Sequence, residues 1–258
     1  MTAPHGPGDL VVADVGNTKV VVAVFLQGVL RARVRLPTRA RTAPERAVRR
    51  RALQSLQWDR ATPAILASVA PRPGAWVERW LRRKSRRVHV VRWNDPWPFQ
   101  LALRTPRTVG VDRLANVAGL VARGLRTGIA IDAGTATTID VLRRGRFVGG
   151  LILAGPAMQL EALHRGTDLL PSARRLTQTP LVGRDTVSAL QAGALHGSRH
   201  AIAGIVRALR RELGVATPVV VTGGAAGLVA GLPGRTSQDP DLLLRGLQRL
   251  AARRFQGQ

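Results

Sequence analysis

Two short segments set a carboxylate, a glycine and hydroxyl residues directly after an apolar run: Asp14-Val15-Gly16-Asn17-Thr18 and Asp132-Ala133-Gly134-Thr135-Ala136-Thr137. Such a turn suits the phosphates of a nucleotide. Glycine lets the backbone come close and take positive φ, and successive turn N–H groups form a concavity for anions. Thr18, Thr135 and Thr137 add hydroxyl donors, and the two aspartates are hard oxygen ligands for Mg²⁺ or its waters. A single Asp-x-Gly is also an ordinary hairpin turn. Two copies at domain spacing, with a third glycine-rich turn at Thr222-Gly223-Gly224 suited to an adenosine, favour a nucleotide site.

The elements that must hold these turns follow from the hydropathy pattern. Leu10–Ala13 and Val20–Leu26 read as strands on either side of the first turn, with Gln27-Gly28 making the next one. Thr42-Ala43-Pro44-Glu45 is a capping-box pattern opening a helix expected to turn Val48, Ala52, Leu53 and Leu56 inward. Ala64–Val69 is a buried strand stopped by Pro71; Trp76, Val77, Trp80 and Leu81 mark a helix face, and Val88–Val91 is again a strand. Residues 93–108 are irregular, with Pro96, Pro98 and Pro106, and a helical stripe of Leu114, Val117, Ala118, Val121 and Leu125 follows. The pattern then restarts: strand Ile129–Ile131, the second turn, strand Ile139–Leu142, the turn Arg144-Gly145, and strand Phe147–Leu153.

Asp14 and Asp132 lie 118 positions apart, and the pairs Gly16/Gly134 and Gln27/Gly145 keep that offset. A repeat of domain length implies two similar halves facing one another, unlike the short repeats of a solenoid. We expect boundaries at 9–126 and 127–258. The second half would contain a long helix at Val187–Leu213, a strand at Val219–Val221 and a closing helix at Asp241–Arg253 bearing Leu243, Leu247 and Leu250. Alternating strands and helices argue for an α/β layer architecture.

Composition limits the alternatives. The 258 residues, 45% of them hydrophobic, suffice for two packed domains. No apolar run reaches the length of a membrane span, residues 1–9 lack the pattern of a signal peptide, and the absence of cysteine excludes disulfide and thiolate chemistry. By elimination the expected address is cytoplasmic. The net charge of +25 is carried almost wholly by arginine, with lysine only at 19 and 84. Along the chain no aromatic-interleaved platform, zinc finger or helix-turn-helix accompanies it, so no specific nucleic acid is expected. The five histidines show no metal-ligand partners in sequence.

The order of the motifs resembles the type III pantothenate kinases, a family that includes Bvg accessory factor-like proteins. The resemblance rests on Asp14–Thr18, Gly110-Val111-Asp112-Arg113, Asp132–Thr138 and Thr222-Gly223-Gly224. It is extended by Ala67-Ser68-Val69 with Pro71, Gly149-Gly150-Leu151-Ile152, Arg165-Gly166-Thr167 with Leu170-Pro171, and Gly183-Arg184-Asp185-Thr186, from about Leu10 to Leu247. It implies an actin/Hsp70/sugar-kinase-like ATPase fold: two duplicated ribonuclease H-like domains around a nucleotide cleft. The implied reaction is ATP-dependent phosphorylation of pantothenate to 4′-phosphopantothenate, the first step of coenzyme A biosynthesis.

By the same resemblance, Asp14, Val15, Gly16, Asn17, Thr18, Lys19, Val20, Val21 and Thr135 bind ATP. Asp112 is the general base, and Gly110, Val111, Asp112, Arg113 and Thr186 bind pantothenate, with Arg113 on its carboxylate. Asp132 is implied as the ligand of a monovalent cation, K⁺ or NH₄⁺, with Mg²⁺ near Asp14, and a homodimer is implied. Read from the residues alone, Asp112 could also cap the helix that follows it, Thr186 could be a helix N-cap, and Lys19 could face solvent. Two positions depart from the family pattern. Leu101 stands where many members carry an aromatic, with Trp97 and Phe99 just upstream, and Ala154-Gly155-Pro156 replaces the usual Pro-Gly. A weakly catalytic accessory factor, or a kinase for another small alcohol, are the alternative functions.

Overall fold

The structure is a computed structural model, describing residues 8–173, 179–229, 231–232 and 234–255. The chain divides into two compact units. One runs through Gly124 and takes in the chain again from Leu242; the other is Leu125–Asp241.

The first unit is built on a sheet of order β3-β2-β1-β4-β5, from β1 (Leu10–Val15), β2 (Lys19–Leu26), β3 (Val29–Pro37), β4 (Ala64–Ser68) and β5 (Val88–Val90). β1 to β3 form an antiparallel meander, and β4 and β5 add in parallel through helical crossovers. Strand side chains alternate between faces. Val11, Ala13 and Val15 join Val20, Val22 and Val24 in a core covered by α1 (Ala43–Gln54) and α2 (Pro71–Lys84). Val12, Ala23 and Ile65 are equally buried on the opposite face, where α3 (Val111–Ala122) and α6 (Leu242–Phe255) approach β4 and β1. A two-residue strand β6 (Gln100–Leu101) and a 3₁₀ turn at Pro106–Thr108 interrupt the irregular stretch before α3.

The closing helix differs from its expected place. α6 packs on α3, because Gly119 and Gly246 let the two backbones meet: a Cβ on Gly246 would strike the Ala115 carbonyl, and one on Gly119 the Leu242 carbonyl. It therefore completes the first unit and not the second, burying Leu244 along with Leu242, Leu247 and Leu250. Val48 also departs from expectation, at 68% exposure. Leu53 and Leu56 seat the end of α1, and Val48 lies five positions before Leu53, about 140° round the helix at roughly 100° per residue. Leu125 falls beyond α3, which stops at Ala122.

The second unit repeats the plan in the order β11-β10-β7-β8-β9, from β7 (Gly128–Ala133), β8 (Ala136–Arg143), β9 (Arg146–Ala154), β10 (Val219–Thr222) and β11 (Thr236–Gln238). α5 (Thr186–Leu213) lays Ile202 and Val206 against Ile129, Ile131, Ile139, Val219 and Val221. α4 (Pro156–Arg165) follows β9.

The duplication reaches backbone detail and corrects the expected pairing of one turn. Gln27 and Gly28, at φ 50° and 77°, match Arg144 and Gly145, at φ 50° and 76°. The equivalence is thus Gln27 to Arg144, an offset of 117 and not 118. Gln27 N–H donates to Asp9 Oδ1 as Arg144 N–H donates to Thr127 Oγ1, both at 3.1 Å. Register breaks fall at Val24/Phe25 and Val141/Leu142, the same place in each copy. The one-residue slip lies in the first phosphate turn, where Asp14 pairs with Val21 while Asp132 pairs with Thr138.

Candidate active site

In the first unit, β1 delivers Asp14 half-buried at its end, on the face away from α1 and α2. The loop closes as Gly16 N–H donates to the Lys19 carbonyl at 2.9 Å, leaving Asn17 and Thr18 exposed between them. Val20 and Val21 are buried, and only Lys19 of the β2 start is partly open. Two braces hold the loop. Thr38 donates its hydroxyl to the Gly16 carbonyl at 2.8 Å and its N–H to the Thr18 carbonyl at 2.9 Å. Val69 N–H donates to the Val15 carbonyl at 3.0 Å, so the β4 end is tied to the same turn. Thr38 escaped the sequence reading. The signal was the repeat itself, since its counterpart at the 117 offset is Gly155, whose N–H donates to the Thr135 carbonyl at 3.1 Å.

Gly110 is the N-cap of α3 and provides no side-chain cap; Val111, Asp112 and Arg113 form the first turn. Asp112 sits inside the helix, one carboxylate oxygen accepting the Arg113 N–H at 2.8 Å. The same N–H also reaches the Gly110 carbonyl at 3.1 Å, so the carboxylate shares a donor with the tightened first turn. A Cβ on Gly110 would collide with the same carboxylate oxygen, so the glycine is what lets Asp112 turn back. Behind this turn, Leu114 through Leu120 are buried on every side of the helix, which anchors Asp112 and Arg113 on a rigid element.

In the second unit, Asp132 is the last residue but one of β7, with Thr222 of β10 and Thr138 of β8 as its register neighbours, all three on one face of the sheet. The loop is one residue shorter than the first, Gly134 N–H reaching the Ala136 carbonyl at 3.0 Å and leaving Thr135 exposed. Oxygen atoms crowd it. Gly223, at φ 94°, passes so close that a Cβ would meet the Ala133 carbonyl and the Asp132 carboxylate. A Cβ on Gly155 would meet the Gly134 and Thr135 carbonyls. The Thr138 hydroxyl is buried and has no hydrogen-bond partner among the described residues.

Thr186 opens α5, but the N-cap is Asp185. It forms a reciprocal box with Ser188, accepting the Ser188 N–H at 2.9 Å, and these bonds to the backbone and side chain of Ser188 hold its carboxyl below the usual range. The capping alternative for Thr186 is thereby removed, and its residue is exposed. Ahead of Leu101, Trp97 is 5% exposed, donates its indole N–H to the Trp93 carbonyl at 3.1 Å, and stacks on Phe99 at 5.9 Å. Trp97 is thus an anchor for the segment, and Phe99 is the ring it presents.

Against known families, residues 10–208 match the model of the type III pantothenate kinases. The chain belongs to the type III pantothenate kinase family. Among the relatives of this pantothenate kinase, the one from Rhodospirillum centenum is 36% identical over 95% of this chain and 100% of its own length. The one from Anaeromyxobacter dehalogenans strain 2CP-C is 33% identical over 95% and 99%. Both are described as type III pantothenate kinases. Solved structures agree on the fold. A Baf-family protein from Campylobacter jejuni superposes with a TM-score of 0.59 at 18% identity, covering 95% of this chain and 99% of that one. An archaeal actin homolog gives 0.53 at 12%, over 95% and 99%. The pantothenate kinase therefore has the α/β actin/Hsp70/sugar-kinase-like fold with two mixed sheets, and its activity is ATP-dependent phosphoryl transfer in coenzyme A biosynthesis.

Proposed function

We propose that Asp112 accepts the hydroxyl proton as the primary alcohol of pantothenate attacks the γ-phosphorus of ATP. The new bond joins that oxygen to phosphorus, the bond to the β–γ bridging oxygen breaks, and ADP leaves with its electron pair. Arg113 binds the pantothenate carboxylate through its guanidinium fork, and Thr186 adds a hydroxyl contact. Asp14, Val15, Gly16, Asn17, Thr18, Lys19, Val20, Val21 and Thr135 bind ATP. The observation carrying this reading is the placement of Asp112 and Arg113 together in the first turn of a helix buried on all sides. Replacing Asp112→Asn keeps the shape and removes the base. Turnover is expected to fall about 10²–10⁴-fold while ATP binding by calorimetry persists; near-normal turnover in a folded variant would overturn the assignment.

The donor sets fit the cations. Asp14 offers a half-buried carboxylate beside the first loop, the hard oxygen ligand that Mg²⁺ takes. Asp132, the buried Thr138 hydroxyl and the surrounding carbonyls offer a site made of oxygen for K⁺ or NH₄⁺. When bound, these cations supply positive charge to offset the phosphates. A homodimer is supported by exposed apolar side chains concentrated in the second unit, including Ile152, Met158, Leu163, Leu181 and Val182. A cytoplasmic location is the reading we favour; among the described residues no helix is long and apolar enough to cross a membrane.

A further inference from the structure

The aromatic and basic residues that never interleave along the sequence do so in space on one face of the first unit. α2 places Arg72, Trp76, Trp80 and Lys84 at successive intervals of four, which aligns them on one stripe of the helix. The stripe is about 18 Å long at roughly 1.5 Å per residue. Arg49 of α1 lies over the Trp76 ring at 4.2 Å, and Lys84 over the Trp58 ring at 5.0 Å. Trp58 meets Trp80 edge to face at 5.5 Å and is fixed by its indole N–H on Ser85 Oγ at 3.0 Å. All three rings are partly buried against the sheet core, so they are held in place and partly open.

Charge on this face is one-sided. α1 and α2 together carry nine basic and two acidic side chains, and both acids are engaged. Glu45 accepts the N–H groups of Arg41 and Thr42, and Glu78 pairs with Arg82 at 2.7 Å. Burial, and then the like charge of Arg46, push the Arg49 guanidinium below its ordinary value. Arg72, Arg79 and Arg83 are exposed. Guanidinium groups bind phosphates in bidentate fashion, and a positive surface set with indole rings is the arrangement that grips single-stranded nucleic acid: charge follows the backbone and bases stack on the rings. An anionic membrane would call for protruding apolar side chains, and the only large one exposed on these two helices is Val48.

We infer that the α1–α2 face is a sequence-independent docking surface for single-stranded nucleic acid. It lies on the side of the sheet opposite to that of Asp14, so a bound strand leaves the phosphate turn clear.

The test uses the full chain and a fifteen-residue oligothymidylate at about 50 mM salt, read by tryptophan fluorescence. The expected result is quenching, with affinity falling as salt rises by about 0.7 log units per phosphate contact for each tenfold step. The variant R72A/R79A/R83A is expected to lower the magnitude of that slope by about 2, with kinase turnover and thermal melting unchanged. Two results would overturn the inference: no quenching by the oligonucleotide, with phosphatidylglycerol vesicles quenching or not, and a slope unaltered in the variant. Inorganic polyphosphate has charge but no bases to stack and is expected to bind without quenching; quenching by polyphosphate equal to that by the oligonucleotide would also overturn the inference.

Discussion

The two phosphate-type hairpins share their strands, their outer turn, their register break and even the hydrogen bonds reaching back to the preceding residue, yet they part at the loop. The first is one residue longer, and its exposed members are Asn17 and Thr18, with Lys19 partly open at its base. The second is shorter and hemmed by oxygen: Gly223 brings β10 onto Asp132, Gly155 passes under the Thr135 carbonyl, and the Thr138 hydroxyl stands in the row beside the carboxylate. A ladder copied faithfully can thus be given opposite tasks by its neighbours. A roomier loop with donors suits an anion; a narrow loop walled by acceptors suits a cation.

Charge removal separates the two most strongly. Asp14→Asn is expected to lower kcat about 10²–10³-fold, the scale for losing one preorganised electrostatic partner. Asp132→Asn should instead raise the K⁺ concentration for half activation at least about tenfold, with ATP affinity little changed. Equal loss of K⁺ response in both variants would erase the proposed division. Gly223→Ala puts a Cβ into the Ala133 carbonyl at a backbone angle that disfavours side chains. A cost of about 1–3 kcal/mol is expected, read as a lower melting temperature. Thr38→Val removes the hydroxyl bond to Gly16 and should cost about 1 kcal/mol, appearing as a several-fold higher KM for ATP at unchanged kcat.

The smallest effect concerns α5. Asp185→Ala removes the N-cap and should lower the urea midpoint at neutral pH. Because the folded-state pKa of Asp185 lies below its ordinary value, that stabilisation is present above the unfolded pKa and is lost as pH falls through the folded one. The gap between wild type and variant should therefore close in acid, and a gap independent of pH would show that the carboxylate is not what caps the helix.

Much of the candidate site could be read from residue types, because Asp-x-Gly turns and strands of alternating burial are local signals. Asp14 and Asp132 are expected just past their strands and Asp112 just ahead of its helix; each instead lies one residue inside the end of β1, β7 or α3, close to the boundary expected. Part of what escaped was decided by contacts distant in sequence, and part by neighbours that a residue-type pattern does not rank. Thr38 acts through the carbonyl of Gly16, a partner no local pattern marks. The one-residue slip between the copies shows only in the register. Val48 looked inward by composition, but Leu53 and Leu56 fix the rotation of α1. Asp185 took the cap from Thr186 because Ser188 stands three residues on to complete the box.

The return of α6 to α3 has a consequence for how this chain is made. The second unit is one continuous stretch, while the first needs residues on both sides of it. During synthesis, which proceeds at about 5–20 residues per second, α3 emerges with Leu114 to Leu120 still to be buried and must wait for its partner helix until the whole of Leu125–Asp241 has followed. The later-encoded unit can therefore close first, and the helix that carries Asp112 is the last part of the molecule to be enclosed.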